Sequence, residues 1–298
     1  MRDLGTRAVS SLALLSLMWS CISEQDLLTN NHFIVGEERP WVIAHGGSKD
    51  LFPENTMVAF DGSMEIGVDA LEMDVKMTAD DSLICHHDDT IDRMSNGEGS
   101  VNDLTYNDLL AFNFGDGFVD LEGNNPYQEE HVGVTLLEAV FHKYPNVNYV
   151  VEIKDSGEIG MKAAEKLRRL LTEYDLFNQI IVASFHDEVL LYLNSMDGPT
   201  IPISAGAEEA KDFVIAAKFA GRIFYSPDAV AFQLPMKQSG FNLTKQRLLN
   251  SAHKHNMAIH YWTIDDVDDM RRLIENGADG LITDRPDLMN ELLDEMGY

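Results

Sequence analysis

The chain has 298 residues, 45% of them hydrophobic, which is enough for one large α/β domain or two small ones. Its 50 acidic and 22 basic residues give a formal net charge of −28, and this charge argues against a nucleic-acid partner. The ordinary apolar fraction excludes disorder by composition, so the charge predicts either a solvated surface or an affinity for cations.

The N-terminal residues, 1–22, have the features of an export leader. Arg2 and Arg7 are followed by a short apolar stretch over 10–19, and small or polar residues come next. The apolar stretch is too short to span a bilayer comfortably, so it predicts the signal peptide of an exported protein, periplasmic or extracellular. Cys21 raises the alternative of a lipoprotein, tethered to the cell envelope through a lipid on this cysteine.

Short apolar strands alternate with helical patterns after a polar linker over 23–40. The alternation runs through 41–298, which we interpret as one domain, and it predicts a parallel sheet with helical crossovers. The predicted strands are residues 41–44, 70–77, 82–86, 147–154, 180–183, 201–204, 222–225, 257–263 and 280–283. The predicted helices are 54–66, 136–144, 162–174, one that ends near Leu193, 245–255 and 267–276.

Such a sheet is either open and doubly wound or closed into a barrel. No glycine-rich loop follows the first predicted strand, and the sequence contains neither a phosphate-loop nor a dinucleotide-binding motif. We therefore favour a (β/α)8 TIM barrel. Residues 114–134 are rich in Gly, Asn and acidic side chains, and we expect them to form an excursion on the barrel rim.

The predicted strand 70–77 carries acidic residues on one face. Strand residues alternate between faces, so Leu71 and Met73 point one way while Glu72 and Asp74 point the other. Burying two like charges costs several kcal/mol unless a cation or hydrogen-bond donors compensate for them. Hard carboxylate oxygens suit Ca²⁺ or Mg²⁺, so this face predicts a divalent cation inside the barrel mouth.

The predicted strand 147–154 repeats this pattern, with Glu152 and Lys154 on the same face. Glu152 is a candidate third metal ligand, and Lys154 is a candidate point charge for a substrate phosphate. A simple ion pair between the two side chains at the strand end is the alternative.

Histidines follow two of the predicted strands: His45 comes after 41–44, and His86 and His87 come after an apolar run. The active sites of barrels lie at the carboxyl ends of the strands, and two histidines can supply a base and an acid near neutral pH. A structural role is the alternative for each histidine taken alone. The acidic strand between them favours catalysis.

Six segments, in order, resemble the motifs of the glycerophosphodiester phosphodiesterase family. They are AHGGSKDLFPENT from 44, LEMDV from 71, HDDTIDR from 87, VEIK from 151, YWTI from 261 and GADGLITDRP from 277. The resemblance covers about residues 41–288. It implies a (β/α)8 TIM barrel of the phosphatidylinositol-phosphodiesterase-like kind. It also implies hydrolysis of small-molecule glycerophosphodiesters to glycerol 3-phosphate and an alcohol.

The resemblance further implies roles for single residues. Glu72, Asp74 and Glu152 would hold a divalent cation, Ca²⁺ or Mg²⁺. His45 and His87 would perform acid–base catalysis, one removing a proton from the nucleophile and the other protonating the leaving alcohol. The nucleophile is either water or a neighbouring hydroxyl of the substrate, and the sequence leaves both open.

The remaining residues that the resemblance implies are substrate contacts. Lys154 would contact the phosphate, and Trp262 would line the glycerol or leaving-group side of the pocket. Glu54 and Asn55 would shape the pocket floor or a helix start, and for Glu54 a direct contact with the substrate or the metal is the alternative.

One residue departs from the family pattern. The arginine of the His-Arg-Gly motif is replaced by Gly46, which removes a charge-assisted phosphate contact of roughly 1.5–3 kcal/mol. Lys49 or Lys154 could compensate. The departure therefore bears on substrate identity more than on reaction type. It leaves two alternatives open: a lysophospholipase D or sphingomyelinase D relative, favoured by an apolar rim, and a barrel that binds phosphodiesters without cleaving them.

Overall fold

Runs rich in β-branched and other apolar residues form the strands of this protein, and polar or glycine-containing segments separate them. The computed structural model describes residues 31–36, 38–219 and 228–298. Its strands are β1 (Trp41–Ala44), β2 (Ala70–Met77), β3 (Leu83–Cys85), β4 (Thr135–Leu136), β5 (Asn148–Ile153), β6 (Ile180–Ala183), β7 (Ala231–Leu234), β8 (Lys237–Gln238), β9 (Phe241–Asn242), β10 (Ala258–Tyr261) and β11 (Gly280–Thr283).

The parallel strands close into a barrel. The pairing runs from β1 to β2, β5 and β6, and from β7 to β10, β11 and back to β1. Two parallel bridges, Val182 to Ile203 and Ser204 to Ala231, join the two halves and complete the ring. The predicted (β/α)8 TIM barrel is confirmed.

Helices follow the barrel strands and cover their outer surface. The helices are α1 (Met57–Ile66), α2 (Tyr106–Leu109), α3 (Leu137–Lys143), α4 (Gly157–Tyr174), α5 (Asp187–Ser195), α6 (Ala207–Phe219), α7 (Gln246–Lys254), α8 (Val267–Glu275) and α9 (Pro286–Met296). Short 3₁₀ turns lie at His45–Gly47 and Val101–Asp103. Among the described residues, no helix is both long and apolar enough to cross a membrane.

Strand alternation divides the core into two layers. Leu71, Met73 and Val75 of β2 belong to the large cluster between the strands and the helices. Ala70 and its neighbours inside the ring, such as Val150, form a smaller inner cluster. The polar residues of β2 share the inner face with Ala70, which is the orientation that the sequence predicts.

The rim excursion is longer than predicted. β3 pairs antiparallel with the carboxyl half of β2, and β4 pairs antiparallel with β3. The chain between β3 and β4 carries α2 and one 3₁₀ turn. This insertion has its own apolar cluster, which includes Ile84, Ile91, Val101 and Phe114. It therefore holds the loop after β3 against the barrel mouth.

Part of the predicted linker packs against the amino-terminal end of the barrel. Phe33 is only 1% exposed and belongs to a cluster with the strand starts Ile181, Ala231 and Ala258. The Asn31 side chain donates hydrogen bonds to the carbonyl oxygens of Val230 and Asn256. Residues 31–36 thus close the bottom of the barrel.

Most element predictions agree with the structure, and two strand predictions differ. The strand 201–204 is reduced to single bridges at Ile203 and Ser204, because Pro202 has no N–H for a ladder. The strand β7 was not predicted, since Gln233 interrupts its apolar run. The predicted strand 222–225 lies outside the described residues, as do Arg2, Arg7 and Cys21 of the predicted leader.

Candidate active site

A cavity of about 680 Å³ opens at the carboxyl ends of the barrel strands. Such a volume is in the usual range for small-molecule sites. The lining includes seven of the eight predicted site residues: His45, Glu72, Asp74, His87, Glu152, Lys154 and Trp262. The structure therefore brings these residues, which come from separate sequence segments, together in one cavity.

Three carboxylates form the floor of this cavity. One oxygen from each of Glu72, Asp74 and Glu152 lies within 4.8 Å of the others. Glu72 is 4% exposed and Asp74 is 2% exposed, so neither charge is well hydrated. Burial and the neighbouring charge of Asp74 raise the pKa of Glu72 to about 7. The cluster needs positive charge to be stable when ionised.

Backbone and amide groups fix the orientation of two of these carboxylates. The backbone N–H of Gly46 donates to Oε2 of Glu72 at 2.6 Å. The Asn55 side chain donates to Oδ2 of Asp74 at 2.9 Å and accepts from the Asp74 backbone N–H at 3.0 Å. Asn55 adopts φ of 58°, a left-handed conformation that asparagine tolerates better than most residues.

The donor set of the cluster fits a hard divalent cation. Three preorganised carboxylate oxygens at short mutual distance match the ligands that Ca²⁺ and Mg²⁺ prefer. No cysteine or histidine belongs to this cluster of described residues, which disfavours a softer metal. Glu72, Asp74 and Glu152 could therefore hold Ca²⁺ or Mg²⁺.

Two lysines flank the carboxylates. Nζ of Lys154 lies 3.0 Å from Glu152 Oε1 and 3.5 Å from Asp74 Oδ1. Nζ of Lys49 lies 3.9 Å from the other oxygen of Asp74. Burial alone would raise the pKa of Asp74, but the two lysines lower it overall. The sequence suggested Lys49 only as a compensating residue, and the structure brings it into the cavity.

A carboxylate orients His45, which follows β1. Nδ1 of His45 lies 2.7 Å from Oδ1 of Asp284, which follows β11, the neighbour of β1 in the ring. Burial alone would lower the pKa of His45, but the hydrogen bond to Asp284 and the charge of Glu72 raise it. Asp265 in turn accepts from the Asp284 backbone N–H at 2.8 Å. Nε2 is the ring nitrogen on the cavity side, where Nζ of Lys49 lies 3.1 Å from it.

His87 has a similar partner from its own loop. Its Nδ1 lies 2.7 Å from Oδ1 of Asp88, whose other oxygen accepts from Nε of Arg93 at 2.6 Å. Burial alone would raise the pKa of Asp88, but the hydrogen bonds from Arg93 and His87 lower it to about 2. The adjacent His86 is buried and bonds to the Thr90 carbonyl oxygen at 3.0 Å, so it has a structural role.

Glu54 is the predicted substrate contact that does not line the cavity. Its two oxygens accept from Nη1 and Nη2 of Arg93 at 3.1 and 2.5 Å. Through Arg93, Glu54 ties the loop after β1 to the loop that carries Asp88 and His87. This position favours the structural role, which the sequence also placed ahead of a substrate contact for Glu54.

One wall of the cavity is apolar. It includes Phe185, Ile215, Leu234, Phe241 and Trp262. Phe185, Ile215 and Phe241 are 59%, 48% and 49% exposed, which is unusual for large apolar side chains around one opening. The Phe185 and Trp262 rings meet edge to face at 6.0 Å. This wall comes from α6, β7, β9 and the residues after β6 and β10, and not from the polar rim excursion.

The sequence did not predict the partners that orient the histidines. Asp284 and Asp88 both stand in the segments that carry the family resemblance, yet neither received a role. Asp88 directly follows His87, and an acidic residue at the end of the last strand was a usable signal for Asp284. The pairing of His45 with Asp284 requires ring closure, which joins β1 to β11.

Comparisons with known proteins agree with this geometry. The sequence model of the glycerophosphoryl diester phosphodiesterase family matches residues 45–288. A glycerophosphodiester phosphodiesterase of Caldanaerobacter subterraneus subsp. tengcongensis is 31% identical over 86% of this chain and 98% of its own length. One from Bacillus subtilis is 28% identical over 97% of both chains. A solved Oleispira antarctica phosphodiesterase, in complex with the product sn-glycerol-3-phosphate, has a TM-score of 0.69, 18% identity and coverage of 86% and 97%.

Proposed function

This chain belongs to the glycerophosphoryl diester phosphodiesterase family, and we propose that it hydrolyses glycerophosphodiesters to glycerol 3-phosphate and an alcohol in a reaction that depends on a divalent cation. The observation that carries the proposal is the single cavity in which three carboxylates, two histidines and two lysines meet. A phosphodiester reaction needs positive charge on the phosphate and two proton transfers, and these groups can supply both.

Glu72, Asp74 and Glu152 hold the cation in this proposal. When bound, Ca²⁺ or Mg²⁺ would supply Lewis-acid stabilisation of the charge that develops on the phosphate. The buried carboxylates support this assignment, because the raised pKa of Glu72 reflects charge that the protein alone leaves poorly compensated.

The two histidines move the protons. Asp284 and Asp88 accept from Nδ1 of His45 and His87, so Nε2 of each ring is the nitrogen that exchanges protons with the reacting groups. At His45, Nζ of Lys49 lies 3.1 Å from Nε2 and has to turn from this atom to the phosphate when the substrate binds. One histidine removes a proton from the nucleophile, either water or a neighbouring substrate hydroxyl. The other gives a proton to the oxygen of the leaving alcohol. Lys154 donates to a non-bridging phosphate oxygen, and Trp262 covers the side of the pocket nearest the organic groups.

Product release from glycerophosphocholine tests this proposal. The purified chain is treated with EDTA and then supplied with Ca²⁺ or Mg²⁺, and glycerol 3-phosphate and choline are measured at each stage. We expect loss of both products with EDTA and their equimolar return with the cation. A transient cyclic phosphate in ³¹P NMR spectra would identify the substrate hydroxyl as the nucleophile. Turnover that persists in EDTA contradicts the cation dependence.

A second candidate function is cleavage of lysophospholipids to lysophosphatidic acid and the head-group alcohol. The apolar wall with the exposed rings of Phe185 and Phe241 favours it, because an acyl chain would bury this surface. Lysophosphatidylcholine and glycerophosphocholine share the head group, so their kcat/KM values can be compared directly. A higher value for the lysolipid, reduced by Phe241→Ser, supports this candidate, and a lower value unaffected by that change excludes it.

We also propose that the protein is exported, on the basis of the leader pattern in residues 1–22. N-terminal sequencing of the protein from a bacterial expression host tests this. Cleavage before Ser23 with no attached lipid indicates a simple signal peptide. A blocked N-terminus that carries fatty acid on Cys21 indicates a lipoprotein, and an intact Met1 contradicts export.

A further inference from the structure

The side chain of Lys49 fills the space directly above Gly46. A Cβ atom placed on Gly46 would lie 2.4 Å from Cε and 3.2 Å from Cγ of Lys49. Gly46 also has φ of 52°, in the left-handed region that favours glycine. The position of the Lys49 side chain therefore depends on the glycine at residue 46, because the Lys49 side chain occupies the space that a side chain at residue 46 would fill.

The ammonium group of Lys49 ends between the catalytic and the acidic parts of the cavity. Its Nζ lies 3.1 Å from Nε2 of His45 and 3.9 Å from Oδ2 of Asp74. The side chain is largely buried at 16% exposure, and it lines the cavity with Lys154. The two lysines approach different oxygens of Asp74, so positive charge stands on two sides of the carboxylate cluster.

The positive charge of Lys49 affects the net charge of the site to which the phosphate binds. When all three carboxylates are ionised they contribute −3 and the two lysines +2, so the sum without the cation is −1. A divalent cation brings this sum to +1, which matches the single negative charge of a phosphodiester. Without Lys49 the sum would be zero, and the bound substrate would leave a net negative charge in a poorly hydrated site.

We propose that Lys49 binds the substrate phosphate, donating an N–H to a non-bridging oxygen on the side of Asp74 opposite Lys154, and thereby sets the affinity for phosphodiesters. This inference rests on the proposed function. Lys49 and Lys154 together act as a two-sided clamp of point charges. The same ammonium, next to Nε2 of His45, places the phosphate within reach of that ring.

Substitution of Lys49 tests the clamp. We expect Lys49→Met to lower kcat/KM for glycerophosphocholine by about 10- to 150-fold, the range for one lost charge-assisted hydrogen bond. Binding of glycerol 3-phosphate, measured by calorimetry with excess Mg²⁺ or Ca²⁺, should weaken by a similar factor. Lys162→Met is the matched control, because Lys162 is 64% exposed, pairs with Asp81 at 4.0 Å and is not among the residues that line the cavity. It should leave product binding unchanged.

A structural role for Lys49 makes different predictions. It would change the Tm or the affinity for the cation, both measured without substrate, and leave product affinity near the wild-type value once the cation is bound. Product affinity of Lys49→Met within about threefold of wild type would overturn the proposal. A wild-type protein that fails to hydrolyse glycerophosphocholine contradicts the proposed function. The binding of glycerol 3-phosphate needs no turnover, so the comparison of product affinity between wild type and Lys49→Met still tests the role of Lys49.

A double variant tests the link between the two positions. Gly46→Arg alone should lose most activity, because its side chain collides with Lys49 and the backbone is left-handed. Adding Lys49→Ala opens that space and keeps one cation near the phosphate, so the double variant should be more active than Gly46→Arg. Equal or lower activity of the double variant would show that the two positions do not exchange roles.

Discussion

Asp284→Asn is expected to weaken catalysis through His45 without disturbing the carboxylate cluster. Nδ1 of His45 lies 2.7 Å from Oδ1 of Asp284, and both side chains are largely buried, at 22% and 18% exposure. A hydrogen bond to a charged group contributes roughly 1.5–3 kcal/mol and one to a neutral amide roughly 0.5–1.5 kcal/mol. The net loss of about 1–2 kcal/mol corresponds to a fall of about 5- to 30-fold in kcat/KM.

The pH profile of the same variant separates an orienting role from a structural one. Burial lowers the pKa of His45, whereas the hydrogen bond to Asp284 and the charge of Glu72 raise it, so removal of the Asp284 charge should lower that pKa. The limb of the kcat/KM profile that His45 controls should move to lower pH. Movement of the acidic limb identifies His45 as the base, and movement of the alkaline limb identifies it as the acid.

Asp287→Asn is the matched control for this prediction. Asp287 lies three residues further on, pairs with Arg285 and is not among the residues that line the cavity. Its substitution should leave both kcat/KM and the pH profile unchanged. Wild-type kcat/KM and unmoved limbs in Asp284→Asn would refute the assignment of Asp284 as the partner that orients His45.

Three further predictions concern stability. Lys76→Met should lower the free energy of unfolding by about 3–5 kcal/mol in urea titrations. The reason is that the buried carboxylate of Asp155 loses its ion pair with Lys76, at 3.1 Å. A loss below about 1 kcal/mol would contradict this prediction. Phe33→Ala should cost about 3–5 kcal/mol by the same measurement if the N-terminal segment closes the barrel, and no change would exclude that role. The hydrogen bond to Asp279 raises the pKa of His253, so its stabilisation is complete below the unfolded pKa and is lost as pH rises through the folded one. His253→Gln should therefore lower Tm more at pH 5 than at pH 8, and an equal loss at both would refute the linkage.

The sequence predicted the barrel because its signals are local. Apolar runs such as 41–44 and 280–283 are short, and turn or helix patterns separate them, so each strand could be recognised alone. Two features depended on non-local contacts and were not predicted correctly. Residues 201–204 form single bridges to their neighbours in the ring instead of the predicted strand. The rim excursion begins soon after β2 because β3 pairs antiparallel with it, which no short pattern indicates.

The site was predicted as far as strand alternation and residue chemistry reach. Acidic residues facing inward on β2 and β5 contradict the apolar pattern of a buried strand, so Glu72, Asp74 and Glu152 stood out. The orienting partners did not stand out in the same way. Asp284 meets His45 only because the last strand closes on the first, and Lys49 reaches the cluster only because Gly46 lacks a side chain.

The central claim is that the three carboxylates hold a cation on which hydrolysis depends, and cation binding measured beside turnover tests it most directly. Wild type, Asp74→Asn and Glu152→Gln are titrated with Mg²⁺ and Ca²⁺ by calorimetry, and glycerophosphocholine hydrolysis is followed over the same concentrations. We predict that wild-type turnover rises with occupancy of one site and that each variant loses both cation affinity and activity. Wild-type turnover that is independent of the cation, or variants that stay fully active without binding it, would contradict the claim.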